Sequence, residues 1–135
     1  MITSGSPLLY AVAINLKHYT TQLIRETGEW VIAAPSASMG PAMAYCGSHS
    51  GHEGDKIEPA GLSLAPATAV QVPLLQDAVY NLECVLHTAL ETGDHMLFVG
   101  EVVAAHLDPD AGPRLMNLGD RWACTQAVPE TVYQP

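Results

Sequence analysis

Hydrophobic and polar positions alternate most regularly between residues 80 and 106, and the alternation predicts a β-hairpin at the centre of the fold. In Tyr80-Asn81-Leu82-Glu83-Cys84-Val85-Leu86-His87, the apolar residues Tyr80, Leu82, Cys84 and Leu86 share one face and Asn81, Glu83, Val85 and His87 the other. That is the pattern of a half-buried strand. Between His95 and His106, Met96, Phe98, Val102 and Ala104 fall on one face and Leu97, Val99, Val103 and Ala105 on the other, which predicts a strand covered by protein on both sides. Gly100 interrupts it, where a strand bulges, bends or admits a close neighbour. The link Glu91-Thr92-Gly93-Asp94 is short and contains Gly, so the two runs pair antiparallel, with His95 at the mouth of the hairpin.

The pattern elsewhere predicts shorter elements. Leu8–Ile14 is an apolar run of strand length after the turn signals Ser4-Gly5-Ser6-Pro7, and it reads as a buried strand. A helix of about two turns begins near Tyr19, with Thr20 in its first turn or at its N-cap, and stops at Gly28. Glu29–Ala34 is a further strand, ended by Pro35. Ser36–Tyr45 is a small-residue segment with Ser36 as N-cap and Met39, Ala42 and Met43 as packing face, kinked or split at Gly40-Pro41. Ile57–Leu62 predicts a helical turn, Thr68–Val72 a short strand, and Leu74–Ala78 a brief helical connection. Asp108–Pro113 is a turn of strong breakers. The tail, with Leu115, Met116, Leu118, Trp122, Val128, Val132 and Tyr133, supports one or two short extended pieces. Without repeat or linker, residues 1–135 are expected to form one small, mainly β barrel with short helical inserts.

Composition narrows the classes of function. The net charge of −9 with five basic residues argues against nucleic acid, which needs clustered Lys and Arg. With 48% apolar and 14% charged residues and no long apolar run, neither a disordered chain nor a membrane-spanning helix is expected. The chain has three widely spaced cysteines, and its first residues have no signal-peptide character, which points to reduced thiols in a cytoplasm. Low charge with a high apolar fraction points to a surface buried against a second subunit.

The loop Cys46-Gly47-Ser48-His49-Ser50-Gly51-His52-Glu53-Gly54-Asp55-Lys56 is too polar and Gly-rich to build core. Cys46, His49 and His52 have the spacing of metal ligands, yet a fourth ligand is lacking; the loop is otherwise a solvated connection or one that contacts an organic ligand. The cysteines read as core, with Cys84 on the apolar face of its strand. Glu83 and Glu101 are paired, solvent-facing or a carboxylate dyad, and His95 is a surface residue or a ligand contact. No nucleophile elbow, Walker loop or dinucleotide fingerprint is present.

Taken together, several stretches resemble the flavin reductase-like, FMN-binding split-barrel family, and its flavoredoxin branch above all. They are Pro7–Ile14, Tyr19-Thr20 with Leu23–Trp30, Ser50-Gly51, Asp55-Lys56-Ile57, Gly61-Leu62, Leu82-Glu83-Cys84, and Gly93-Asp94-His95 with Leu97–Val102. The resemblance implies a six-stranded antiparallel Greek-key split barrel that forms a homodimer with one FMN per subunit, and a monooxygenase or electron-transfer partner. It implies hydride transfer between NAD(P)H, or a protein donor, and the flavin, with no catalytic nucleophile or acid–base pair and no metal. The alternative is a non-catalytic dimeric split-barrel module with weak or no flavin binding. Thr20 matches the family's flavin-binding Thr, Lys56 its flavin-contacting Lys, and His95 the His at the hairpin mouth; Ser50 and Gly51 belong to the same cofactor loop. His18 stands where an Arg is common. Family members carry, ahead of the Pro7 strand, one or two strands with an Asn-x-Met-Thr-like segment and a Trp lining the flavin ring. The barrel is therefore expected to be N-terminally shortened, with an edge strand that a partner chain or the C-terminal tail must cover.

Overall fold

Two long strands joined through Gly93 and Asp94 carry the architecture. The computed structural model describes residues 1–118 and 122–124. In chain order the elements are β1 (Ile2–Gly5), β2 (Leu8–Asn15), α1 (Tyr19–Thr27), β3 (Glu29–Pro35), a 3₁₀ turn (Ala37–Met39), α2 (Gly40–Ser48), β4 (Leu64–Ala65), β5 (Leu74–Leu75), β6 (Ala78–Thr92), β7 (His95–Leu107), β8 (Leu115–Asn117) and β9 (Trp122–Cys124). Five strands form one antiparallel sheet in the order β1-β2-β7-β6-β3, and β4-β5 and β8-β9 pair separately. The fold is mainly β with two short α-helices, as expected. Val128, Val132 and Tyr133 lie outside the described residues.

The hairpin is the expected one, longer at both ends. Gly93 turns it with φ +63°, a left-handed conformation that favours glycine. The expectation of a two-sided buried strand is corrected. Met96, Phe98 and Gly100 of β7 are buried with Ile24, Trp30 and Cys84, whereas on the opposite face Leu97 and Val99 are half-buried and Val103 is 42% exposed. Aliphatic residues on both faces signal what a strand could bury, and only one face meets this chain's core. Gly100 does admit a close neighbour: a Cβ there would overlap the Trp30 ring.

The polar face of β6 is also corrected. Glu83 pairs with Ala104 and Cys84 with Val102, leaving Val103 as the extra residue of a bulge. Glu83 and Cys84 are both fully buried, although adjacent strand residues point to opposite faces. Glu83 is covered by the segment expected to be a strand at Thr68–Val72. The amides of Thr68, Ala69 and Val70 donate to the Glu83 carboxylate at 2.9, 2.6 and 3.0 Å, so they form no ladder. Leu74-Leu75 is β5 rather than a helical connection. It pairs with β4 and is fastened by the Asn81 side chain, whose Oδ1 accepts from Leu75 N and whose Nδ2 donates to Leu75 O, both at 3.0 Å.

Smaller corrections follow the same logic. The Ser4-Gly5 turn signals belong instead to β1, which pairs with β2, so the Pro7 strand is not an open edge. Within β2 only Ala11 is fully buried, which makes it a half-buried strand. The Ser36 segment splits at Gly40 into a 3₁₀ turn and α2, with Met39 and Ala42 buried; Ser36 is no side-chain cap, its hydroxyl instead meeting that of Ser38 at 2.9 Å. Residues 57–62 are turns held by Ala60 N to Lys56 O and Leu62 N to Ile57 O.

Candidate functional site

The start of α1 and the loop after α2 enclose a cavity of about 680 Å³. Asn15 fixes the entry to α1. Its Oδ1 accepts from Lys17 N at 3.0 Å and its carbonyl accepts from the Thr21 hydroxyl at 2.9 Å. His18 is the N-cap, with an extended backbone and no side-chain cap bond, so Thr20 lies in the first turn and its exposed hydroxyl is not a cap. The helix ends at Gly28, whose φ of +70° lets its amide reach Ile24 O at 2.9 Å. The Thr21 amide donates to His18 O at 3.0 Å, and the start of a helix favours negative charge in front of it.

Across the cavity, α2 ends in a dense polar knot. The Ser48 hydroxyl bonds back to Ala44 O and Tyr45 O, and the His49 ring stacks on Tyr45 at 4.0 Å with its Nδ1 3.0 Å from Tyr45 O. Lys56 Nζ donates to Cys46 O at 3.0 Å and His49 O at 3.1 Å, tying the far end of the loop to the end of the helix. His52 leans on Tyr19 with ring centroids 4.5 Å apart, and a Cβ on Gly51 would lie 2.8 Å from Tyr19 Cδ1. Glycine thus lets the loop lie against the first residue of α1. Among the described residues no three His, Cys, Asp or Glu side chains gather as a metal site requires.

Four of the five residues singled out in the sequence, Thr20, Ser50, Gly51 and Lys56, line this one cavity. His95 does not. It pairs with Asn15 across the β2–β7 ladder, at the end of the sheet from which the chain passes to Lys17. Its Nδ1 is 2.7 Å from Asp94 Oδ1, and that hydrogen bond together with the imidazole charge holds the Asp94 carboxyl below its usual range. The Asp94 carboxylate thus restrains the ring at the mouth of the hairpin.

The sequence missed Lys17 and Tyr19 as cavity residues. The available signal was charge: Lys17 is one of five basic residues in a chain of net charge −9 and stands two residues ahead of the helix. Of the cysteines, only Cys84 is core, and burial pushes its thiol up to about 11. Cys46 is half-buried on the cavity wall and Cys124 is exposed. Glu83 and Glu101 form no dyad. Glu83 is buried beneath Thr68–Val70, and Glu101 is exposed opposite Val85.

A family model described as "Flavin reductase like domain" matches residues 1–124. An uncharacterized protein of Archaeoglobus fulgidus is 41% identical over 100 residues, which cover 74% of this chain and 56% of that protein. The chain thus spans little more than half the length of that curated relative. Among solved structures, flavoredoxin from Methanosarcina acetivorans superposes with a TM-score of 0.84 at 24% identity, over 96% of this chain and 75% of that one, a likeness of fold. An FMN-binding protein from Thermus thermophilus with bound p-hydroxybenzaldehyde superposes with a TM-score of 0.83 at 26% identity, over 96% and 77% of the two chains.

Proposed function

The chain belongs to the flavin reductase-like family, and on that premise we propose that it is a flavin-dependent oxidoreductase that holds FMN and exchanges hydride or electrons with NAD(P)H or a protein donor. The observation that carries this reading is the convergence of Thr20, Ser50, Gly51 and Lys56 on one cavity of about 680 Å³, a size that suits a cofactor. The residues present fit the phosphate end of FMN. Thr20 at the start of α1 lines the cavity together with a loop brought close by Gly51, and two of the chain's five basic residues, Lys17 and Lys56, line the space.

When bound, FMN supplies the ring that accepts and passes on hydride or electrons. The chain's own residues bind and orient. Thr20 and the first-turn amides of α1 would hold the anionic end, the loop 49–56 would lie against it, and His95, held by Asp94, would approach the cofactor from the mouth of the hairpin. No side-chain nucleophile is needed. Exposed Val85, Leu90 and Val103 on the long hairpin support a homodimer, and three unpaired cysteines support a reducing, cytoplasmic setting.

Titration of the purified protein with FMN tests the reading. Bound flavin absorbance and a rise in Tm are expected, because a ligand of the native state stabilises it. A colourless protein with unchanged Tm would overturn the proposal. Flavin that binds but is reduced by neither NADH, NADPH nor a protein donor would leave the non-catalytic module instead.

A further inference from the structure

We infer that residues 63–76 form a strap that comes off the sheet as one unit while the five strands stay folded, with Glu83 as its latch. Within the strap β4 and β5 pair with each other, and Gln76 N donates to Ser63 O at 2.9 Å, which closes the segment on itself. Among the described residues no backbone hydrogen bond joins it to the five-stranded sheet. Its attachments run through three sheet side chains instead. Glu83 accepts from the Thr68 amide and hydroxyl and from the Ala69 and Val70 amides, Glu29 Oε2 accepts from Gln71 N at 2.8 Å, and Asn81 bonds both ways with Leu75. Of the strap's own side chains only Val70 and Leu74 are buried.

A segment with so few buried apolar contacts opens at a lower free energy than the strands beneath it. The core does not depend on it: Ile24, Trp30, Cys84, Met96 and Phe98, and the hydrophobic residues packed against them, include none from the strap. Nor does opening strand a buried charge, because Glu83 keeps His106 at 2.6 Å while water replaces the departing amides. A hinge stands just ahead of the strap. Gly61 has a φ of +68° and open space around its Cα, so the chain can turn there without moving a neighbour. Opening uncovers Asn81, Glu83 and His106 and the space of about 160 Å³ that the strap encloses with Asn81 and His106. Only the turns at residues 57–62 separate the strap from the loop that walls the larger cavity, so the latch also holds the far end of that loop.

Amide hydrogen exchange at low denaturant, read by NMR on the native protein, Gly100→Ala and Glu83→Gln, tests the strap. In the native protein the amides of Thr68, Ala69, Val70, Gln71 and Leu75 should share one opening, faster than that of Leu82 and Phe98 and with a smaller dependence on denaturant. Gly100→Ala crowds Trp30 in the core, a strain present with the strap on or off and relieved only by global unfolding. It should speed exchange at Leu82 and Phe98 about tenfold and at the strap amides less than about twofold. Phe98→Leu makes the same comparison should Gly100→Ala not fold. Glu83→Gln weakens only the closed form, so strap and sheet amides should accelerate by one common factor of about tenfold. Strap amides with the denaturant dependence of Phe98, or accelerated as much as Phe98 by the core variant, overturn the inference. Unrelated openings at Thr68, Gln71 and Leu75 overturn the single unit, and strap exchange unchanged in Glu83→Gln overturns the latch.

Discussion

Nε2 of His106 lies 2.6 Å from Oε1 of Glu83, and the carboxylate so paired has no exposed surface. The same Oε1 accepts the Thr68 amide and hydroxyl, and Oε2 the amides of Ala69 and Val70. One side chain therefore anchors the covering segment to the sheet. Glu83→Ala leaves three amides and an imidazole without their acceptor and should cost about 3–5 kcal/mol in urea unfolding. Amide exchange at residues 68–70 should accelerate in the same variant, and unchanged protection there would deny the anchor.

The carboxyl also sets an acid limit. Burial pushes its pKa up, but the Thr68 amide, His106, the Ala69 amide and the Thr68 hydroxyl outweigh that effect and hold it at about 2, against an ordinary 4.5. A pKa depressed in the folded state means stabilisation that is complete above about pH 4.5 and is lost as pH falls from there through 2. The urea midpoint of the native protein should fall across that window. Glu83→Gln should start lower and show a shallower fall.

Gly100 and Trp30 should couple in a double-mutant cycle. A Cβ at residue 100 overlaps Trp30 Cη2 and Cζ2, so Gly100→Ala should destabilise by about 1–3 kcal/mol. Trp30 Nε1 is buried with no hydrogen-bond partner among the described residues, so Trp30→Phe forfeits volume but no hydrogen bond. In the double variant the loss should fall short of the sum of the singles by more than about 0.5 kcal/mol. Simple additivity would mean that the backbone, not the ring, yields.

Gly51→Ala tests the loop. The added methyl would meet Tyr19 Cδ1 at 2.8 Å and push the loop away from α1. Flavin affinity should drop about tenfold, with stability changed by less than about 0.5 kcal/mol because the loop lies at the surface. Wild-type affinity would remove the loop from the site.

Thiol labelling should sort the cysteines. Cys84, fully buried with its thiol raised to about 11, should react only on unfolding, whereas Cys46 and Cys124 should react in the native protein. Because Cys46 lines the cavity, FMN should slow its labelling and leave Cys124 unaffected. Equal rates with and without FMN would place the ligand elsewhere.

How far each element was legible depends on whether its partners are local. The hairpin shows itself through period-two alternation and Gly93, and α1 through Gly28, because those signals lie within a few residues of the structure they specify. β4 and β5 pair two-residue strands across a gap of eight residues, and so short a strand carries no period to detect. Thr68–Val72 has the composition of a strand, but its amides find a carboxylate thirteen to fifteen residues away in sequence, a partner no local pattern discloses.

The sequence by itself determined that the chain is mainly β, that its long hairpin opens at His95, and that a polar Gly-rich loop stands apart from the core. Tertiary structure decided the rest. It put Glu83 inside and Glu101 outside, because the segment 68–70 folds over Glu83 and leaves Glu101 uncovered. It also brought Lys17 and Thr20 opposite Ser50, Gly51 and Lys56, because the meeting of α1 with the end of α2 depends on strand pairing and helix packing between segments some thirty residues apart on the chain.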